Sequence, residues 1–162
     1  MSDVRTIGIL GGGQLGRMLS VAAARLGLRC HVYEPGANPP AADVAHACTT
    51  ASYEDEAALR AFAQGVDVIT YEFENIPTSA LDLLEGLRPI RPGREALRVS
   101  QDRLTEKSFL RDLGLATAPF ADVTDAASMT AAVAGIGTPA ILKTRRLGYD
   151  GKGQVRLGPG ME

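Results

Sequence analysis

Apolar residues fall into two rhythms along the first half of the chain. Residues 6–10, 28–33 and 66–71 are short runs rich in Ile, Leu and Val, each ending at a glycine or an acidic residue. Strands buried on both faces of a parallel sheet read this way. Between them Leu15, Met18, Leu19, Ala22, Ala23 and Leu26 recur at helical spacing and stop at Gly27, and Ala58, Leu59, Phe62 and Ala63 do the same before Gly65. Residues 43–49 supply a further strand, residues 52–55 (Ser-Tyr-Glu-Asp) resemble a helix cap, and Leu81 and Leu84 mark another helix. Strand alternating with helix predicts an α/β fold, a Rossmann-like open parallel sheet.

Pro89, Pro92 and Gly93 interrupt both periods and place a boundary between residues 1–93 and 94–162. Beyond it, Ser100 is positioned to cap a helix over residues 101–113, with Asp102 in its first turn, Leu104, Phe109, Leu110 and Leu113 as its packing face and Gly114 as its stop. A short strand over residues 118–123, an alanine-rich helix over 125–134 with Met129 and Val133 turned to a core, and a strand over 140–143 follow. Residues 155–157 alternate like a returning strand.

Composition narrows the class without naming it. The chain has 162 residues, 45% hydrophobic and 22% charged, enough for one domain, or a small domain and part of another. No apolar run approaches the roughly 20 residues of a membrane span, and Asp3 and Arg5 precede only a short strand, so a cytoplasmic protein with no membrane partner and no signal peptide is expected. Formal net charge −2 and the absence of tryptophan leave no general nucleic-acid footprint. Cys30, His31, His46 and Cys48 make up the number of ligands a zinc site needs, but neighbours on a strand point to opposite faces, so no metal site is expected from them.

Three stretches carry candidate chemistry. Gly11-Gly12-Gly13-Gln14-Leu15-Gly16 between a strand and a helix fits Gly-x-Gly-x-x-Gly, and Glu34 at the end of the next strand fits a ribose-binding carboxylate. That pattern admits an NAD(P)-binding dehydrogenase domain, although close helix–strand packing alone also demands such glycines. Glu72 and Glu74 follow the 66–71 strand where open α/β sheets bind ligands. From Lys143 to Gln154 the chain sets four cations (Lys143, Arg145, Arg146, Lys152) and the glycines Gly148, Gly151 and Gly153 against one acid, Asp150. A loop of this kind, at the tip of a β-hairpin, is suited to holding phosphate.

Five segments in order, residues 11–19, 70–77 (Thr-Tyr-Glu-Phe-Glu-Asn-Ile-Pro), 101–110, 139–146 and 148–154, resemble the N5-carboxyaminoimidazole ribonucleotide synthases of the ATP-grasp superfamily. The resemblance implies a pre-ATP-grasp Rossmann-like domain over residues 1–93 and the beginning of an ATP-grasp domain over 94–162. It also implies a C–N ligase that carboxylates aminoimidazole ribonucleotide with bicarbonate and ATP in purine biosynthesis. In that reading Lys143 and Asp150 are catalytic, and ATP is met by Arg103, Lys143, Gly148, Tyr149, Asp150, Gly151, Lys152, Gly153 and Gln154. The ribonucleotide is met by Gln14, Glu72, Glu74, Tyr149 and Asp150. The family has aspartate where Glu34 stands here. Its members are more than twice as long, so the chain reads as a truncated N-terminal portion, inactive alone, with the magnesium ligands in the later part and a homodimer at full length. A dehydrogenase domain and a non-catalytic nucleotide-binding module are the alternatives.

Overall fold

The structure is a computed structural model describing residues 5–148 and 151–158. Its chain divides into two compact units, Met1–Leu97 and Arg98–Glu162.

In the first unit, β1 (Thr6–Leu10), β2 (Arg29–Tyr33), β3 (Ala47–Thr49) and β4 (Val68–Tyr71) form a parallel sheet in the order β3-β2-β1-β4. The connections run through α1 (Gln14–Arg25), a 3-10 turn (Pro40–Asp43) and α2 (Glu56–Gln64), and α3 (Thr78–Glu85) follows β4. Leu10, Tyr33, Leu59, Phe62, Ile69 and Leu81 are wholly or almost wholly buried in the main core, each such side chain contributing about 1.5–3 kcal/mol by leaving water. The open α/β sheet expected from the periodicity is present.

Several local expectations differ. The third strand is only Ala47–Thr49, because Pro39 and Pro40 start a 3-10 turn that takes up Asp43. Asp55, rather than Ser52, caps α2, accepting the Ala58 N–H at 2.9 Å. In α1 the large apolar residues are not the buried face: Gly16, Ser20 and Ala23 are buried, whereas Leu15, Met18, Leu19 and Leu26 are exposed. A Cβ on Gly16 would stand 2.8 Å from the Gly11 carbonyl oxygen, so the helix lies too close to the turn for bulky side chains on that side. The proline-rich stretch is also more than a linker. Ile90 bridges Ile69 in parallel, with the Ile69 N–H donating to the Pro89 carbonyl at 2.9 Å and the Arg91 N–H to the Ile69 carbonyl at 2.9 Å.

Helix α4 (Arg94–Ser100), which the sequence reading missed, spans the division between the units. The second unit holds α5 (Arg103–Asp112), α6 (Ala126–Ile136) and the antiparallel pair β5 (Ala140–Lys143) and β6 (Gln154–Leu157). Ser100 ends α4, and Asp102 caps α5, its carboxylate accepting the Leu104 and Thr105 N–H groups at 3.0 and 3.1 Å. Residues 118–123 form no strand. Neither α5 nor α6 has a buried residue; Phe109 and Leu113 are exposed and Met129 is only half-buried.

Candidate functional site

The glycine turn of the first unit is occupied by the protein itself. Its backbone reaches β2 through the Gly11 N–H, which donates to the Tyr33 carbonyl at 3.0 Å. Glu34 Oε2 accepts the Gly12 N–H at 2.8 Å, and Glu34 Oε1 accepts the Gly36 N–H at 2.9 Å. Glu72 Oε1 accepts the Gly13 N–H at 2.9 Å. Two carboxylates therefore stand at the start of α1, where a pyrophosphate would need these N–H groups. A Cβ on Gly12 would meet Pro39 at 2.6 Å, and one on Gly11, whose φ is +101°, would meet Glu72 at 2.5 Å. The residues after Glu34 are strapped down as well: the Ala41 N–H donates to the Gly12 carbonyl at 2.9 Å, and Arg17 donates to the Pro40 carbonyl and to Asp43 at 2.9 and 2.7 Å.

Glu34 thus binds the turn rather than a ribose, and a dinucleotide site at this turn is not what the geometry offers. Gln14 opens α1 and is exposed; Glu74 lies half-buried in the loop after β4. Tyr53 is buried nearby, its hydroxyl donating to the Tyr33 carbonyl at 3.4 Å. Burial, and then the charges of Glu34 and Glu72, push its phenol well up. Among the described residues no group of three or more His, Cys, Asp or Glu is placed to hold a metal; Cys30 is buried and Cys48 exposed.

The second candidate site lies wholly in the second unit. Lys143 ends β5 opposite Gln154, which begins β6, so both stand at the mouth of the hairpin loop. Thr144 closes that mouth: its N–H donates to the Gly153 carbonyl at 2.8 Å, and its Oγ1 occupies the space a Cβ on Gly148 or Gly153 would need, at 2.9 and 2.5 Å. Gly151 and Gly153 take φ of +79° and +67°, the left-handed region that glycine enters at no steric cost. Lys152 is exposed beside them. Tyr149 and Asp150 lie outside the described residues.

Arg103, the first residue of α5, reaches this loop. Its guanidinium donates to the Gly148 carbonyl at 2.7 Å, and its N–H donates to the Arg145 carbonyl at 2.9 Å. Arg103 and Lys143 line one cavity of about 500 Å³, along with Glu106, Lys107, Phe120 and Arg145. Lys107 and Arg111 lie over the Phe120 ring, 5.0 and 5.4 Å from its centroid. The structure therefore sets Arg103 and Lys143 on one cavity, while Gly148 and Gln154 belong to the hairpin loop that Arg103 grips.

Sequence reasoning singled out Arg103 but overlooked the partners that fix the loop. Arg145 is not a spare cation. Its Nε and Nη2 both donate to Asp102 Oδ2, at 3.0 and 2.9 Å, and its Nη1 lies 3.5 Å from Asp122. Burial opposes charge on Asp102, but the Arg145 guanidinium and the Thr105 and Leu104 N–H groups outweigh it and hold the carboxyl below its usual range. Asp102 and Arg145 lie 43 positions apart, and nothing in local spacing announces such a pair.

Two family models match the chain. The model of the ribonucleotide synthetase preATP-grasp domain matches residues 4–101, and that of the ATP-grasp domain matches residues 108–159. The N5-carboxyaminoimidazole ribonucleotide synthase of Brucella melitensis biotype 1 is 55% identical over 152 residues, an alignment covering 94% of this chain and 42% of that protein. Among solved structures, the Staphylococcus aureus N5-carboxyaminoimidazole synthetase complexed with ADP superposes with a TM-score of 0.90 at 44% identity, covering 96% of this chain and 42% of that one. The Aspergillus clavatus N5-carboxyaminoimidazole synthase in complex with ADP and 5-aminoimidazole ribonucleotide gives 0.84 at 31% identity, covering 98% and 42%. The chain spans less than half the length of these relatives.

Proposed function

The chain belongs to the ribonucleotide synthetase preATP-grasp family, and from that premise we propose that it is part of an ATP-dependent ligase that carboxylates 5-aminoimidazole ribonucleotide to N5-carboxyaminoimidazole ribonucleotide. Residues 1–93 would form the pre-ATP-grasp domain and residues 94–162 the start of the ATP-grasp domain. The observation that carries the reading is the convergence of Arg103 and Lys143 on one cavity at the mouth of a glycine-rich hairpin loop. Two cations held by a helix start and a strand end suit the phosphates of ATP, where they offset charge that builds up during phosphoryl transfer.

In this reaction bicarbonate attacks the γ-phosphorus of ATP, ADP leaves, and the amine of the ribonucleotide then attacks the carbonyl carbon of carboxyphosphate, expelling phosphate. Lys143 and Arg103 serve the first step by holding the phosphate oxygens. Gly148, Gly151, Lys152, Gly153 and Gln154 cover the phosphates and keep water from carboxyphosphate. Tyr149 and Asp150 are assigned to the ribonucleotide and to the chemistry through the family resemblance. Glu72, Glu74 and Gln14 are assigned to the ribonucleotide on the same basis. Magnesium is the expected companion of ATP. We also propose a cytoplasmic location and a homodimer at the family's full length; no described helix is long and apolar enough to cross a membrane.

A chimera in which residues 1–162 replace the matching part of a full-length relative tests the reading. It should release phosphate only when ATP, bicarbonate and 5-aminoimidazole ribonucleotide are all present. Lys143→Met should lower kcat at least about 100-fold, the scale of losing one electrostatic stabiliser, with an unchanged circular dichroism spectrum. Near wild-type turnover in that variant would remove Lys143 from the mechanism.

A further inference from the structure

Residues 101, 102 and 103 each grip a different residue of the hairpin loop. Gln101 Oε1 accepts from the Arg146 guanidinium at 2.8 Å, Asp102 takes the Arg145 guanidinium, and the Arg103 guanidinium donates to the Gly148 carbonyl at 2.7 Å. The backbone joins in, since the Arg103 N–H donates to the Arg145 carbonyl. Asp102 is the centre of this arrangement because its carboxylate serves helix and loop at once. Oδ1 caps α5 through the Leu104 and Thr105 N–H groups and also accepts from Arg145 Nε at 3.2 Å, while Oδ2 receives both Nε and Nη2 of Arg145. Its side chain is only 16% exposed, against 47% for Arg145.

We propose that Asp102 is a positioning residue: by capping α5 and pairing with Arg145 at once, it locks the base of the glycine-rich loop to the helix that presents Arg103, so that loop and arginine share one fixed geometry. The proposal rests on the ATP reading for its purpose, but its geometry needs no nucleotide. A fork-shaped, charge-assisted pair fixes direction as well as distance. An exposed ion pair on its own would do little, but this one is shielded on the carboxylate side and flanked by the Gln101 and Arg103 contacts. Arg145 is therefore committed to Asp102 and not to phosphate.

Trypsin nicking of the 162-residue chain reads the lock directly, because the bond after Arg146 lies in the loop and the bond after Arg111 lies in α5. Asp102→Asn keeps an oxygen for the helix cap and removes the charge; Arg145→Gln leaves the cap untouched. Each should speed the cut after Arg146 about tenfold while changing the cut after Arg111 less than about twofold, and the double variant should be no faster than either single. An unchanged cut after Arg146 in Arg145→Gln, or equal acceleration of both cuts, overturns the proposal. Should Asp102→Asn fail to fold, Arg145→Gln decides alone.

In the chimera, Arg145→Gln should raise KM for ATP about tenfold with an unchanged circular dichroism spectrum, and Arg145→Lys, which keeps a cation for Asp102, should raise it less, a grading that general destabilisation would not produce. An unchanged KM for ATP in an active chimera also overturns the positioning role. A wild-type chimera with no ATP-dependent turnover would count against the ligase reading, while the nicking rates would still decide whether the lock exists.

Discussion

Gly12 and Gly13 show how a fingerprint can be legible while its meaning is not. The sequence displays the glycines and the strand-to-helix context, and both are present in the structure. What the sequence hides is that the carboxylates of Glu34 and Glu72, 22 and 59 positions away, accept hydrogen bonds from these two N–H groups. Such long-range partners depend on the sheet order and not on spacing. Two consequences are measurable. NADH titrated into the chain should give no saturable binding at sub-millimolar concentration, since a pyrophosphate would have to displace two anions at the helix start; a saturable calorimetric signal there would restore the dehydrogenase reading. Gly12→Ala would press a methyl group against Pro39 and Glu34 and should lower stability by about 1–3 kcal/mol, the usual cost of overpacking. An unshifted urea midpoint would show that the 34–43 strap yields freely.

At the scale of elements, strands are the easiest to read, because β1 and β4 are short, mostly apolar runs and β2 ends in Val32 and Tyr33, both buried. Helices are legible chiefly by their large residues, which point to the wrong face in α1. In α1 the sheet-facing side is set by how closely the backbone can approach, so small residues face inward and leucines face out. Helix α4 escaped notice because Pro92 and Gly93 just before it read as a breaker, although proline before a helix start is compatible with one. The 118–123 stretch pairs with no strand among the described residues. Cap residues were half legible: the acidic side chains were visible, and which of them accepts was not. Asp55→Ala should therefore cost about 1 kcal/mol through lost capping of α2, read as a lower thermal midpoint, whereas Ser52→Ala, whose Oγ accepts only the Glu54 N–H at 3.1 Å, should cost less. A larger loss at Ser52 would reverse the assignment.

For the whole molecule, the distribution of burial predicts unequal stability. Among the described residues every buried apolar side chain except Val99 belongs to the first 97 residues, while α5 and α6 contribute none. Apolar burial is the main favourable term in folding, so in urea the second unit should unfold first and the first unit later. Acid should then act on the two units over different ranges. His31, in the first unit, bonds Thr49 Oγ1 at 2.8 Å and meets the Phe62 ring edge-on at 4.9 Å. Burial, and then the charge of His46, lower its pKa below 6.5. Its proton is thus held more tightly in the unfolded chain, so its contribution is complete above pH 6.5 and is lost as pH falls through the lowered folded value. Asp67 behaves similarly much further down: the Arg5 and Thr6 N–H groups depress its pKa below 3.8, and its contribution fades only as pH falls below that. In the second unit Asp102 and Asp125 are also depressed below 3.8, and no histidine lies beyond His46. Between pH 7.5 and 5.5 the later transition should therefore shift to lower urea and the earlier one should stay in place. His31→Gln should remove that shift; a first-unit midpoint that still falls equally in the variant would show that His31 is not its source.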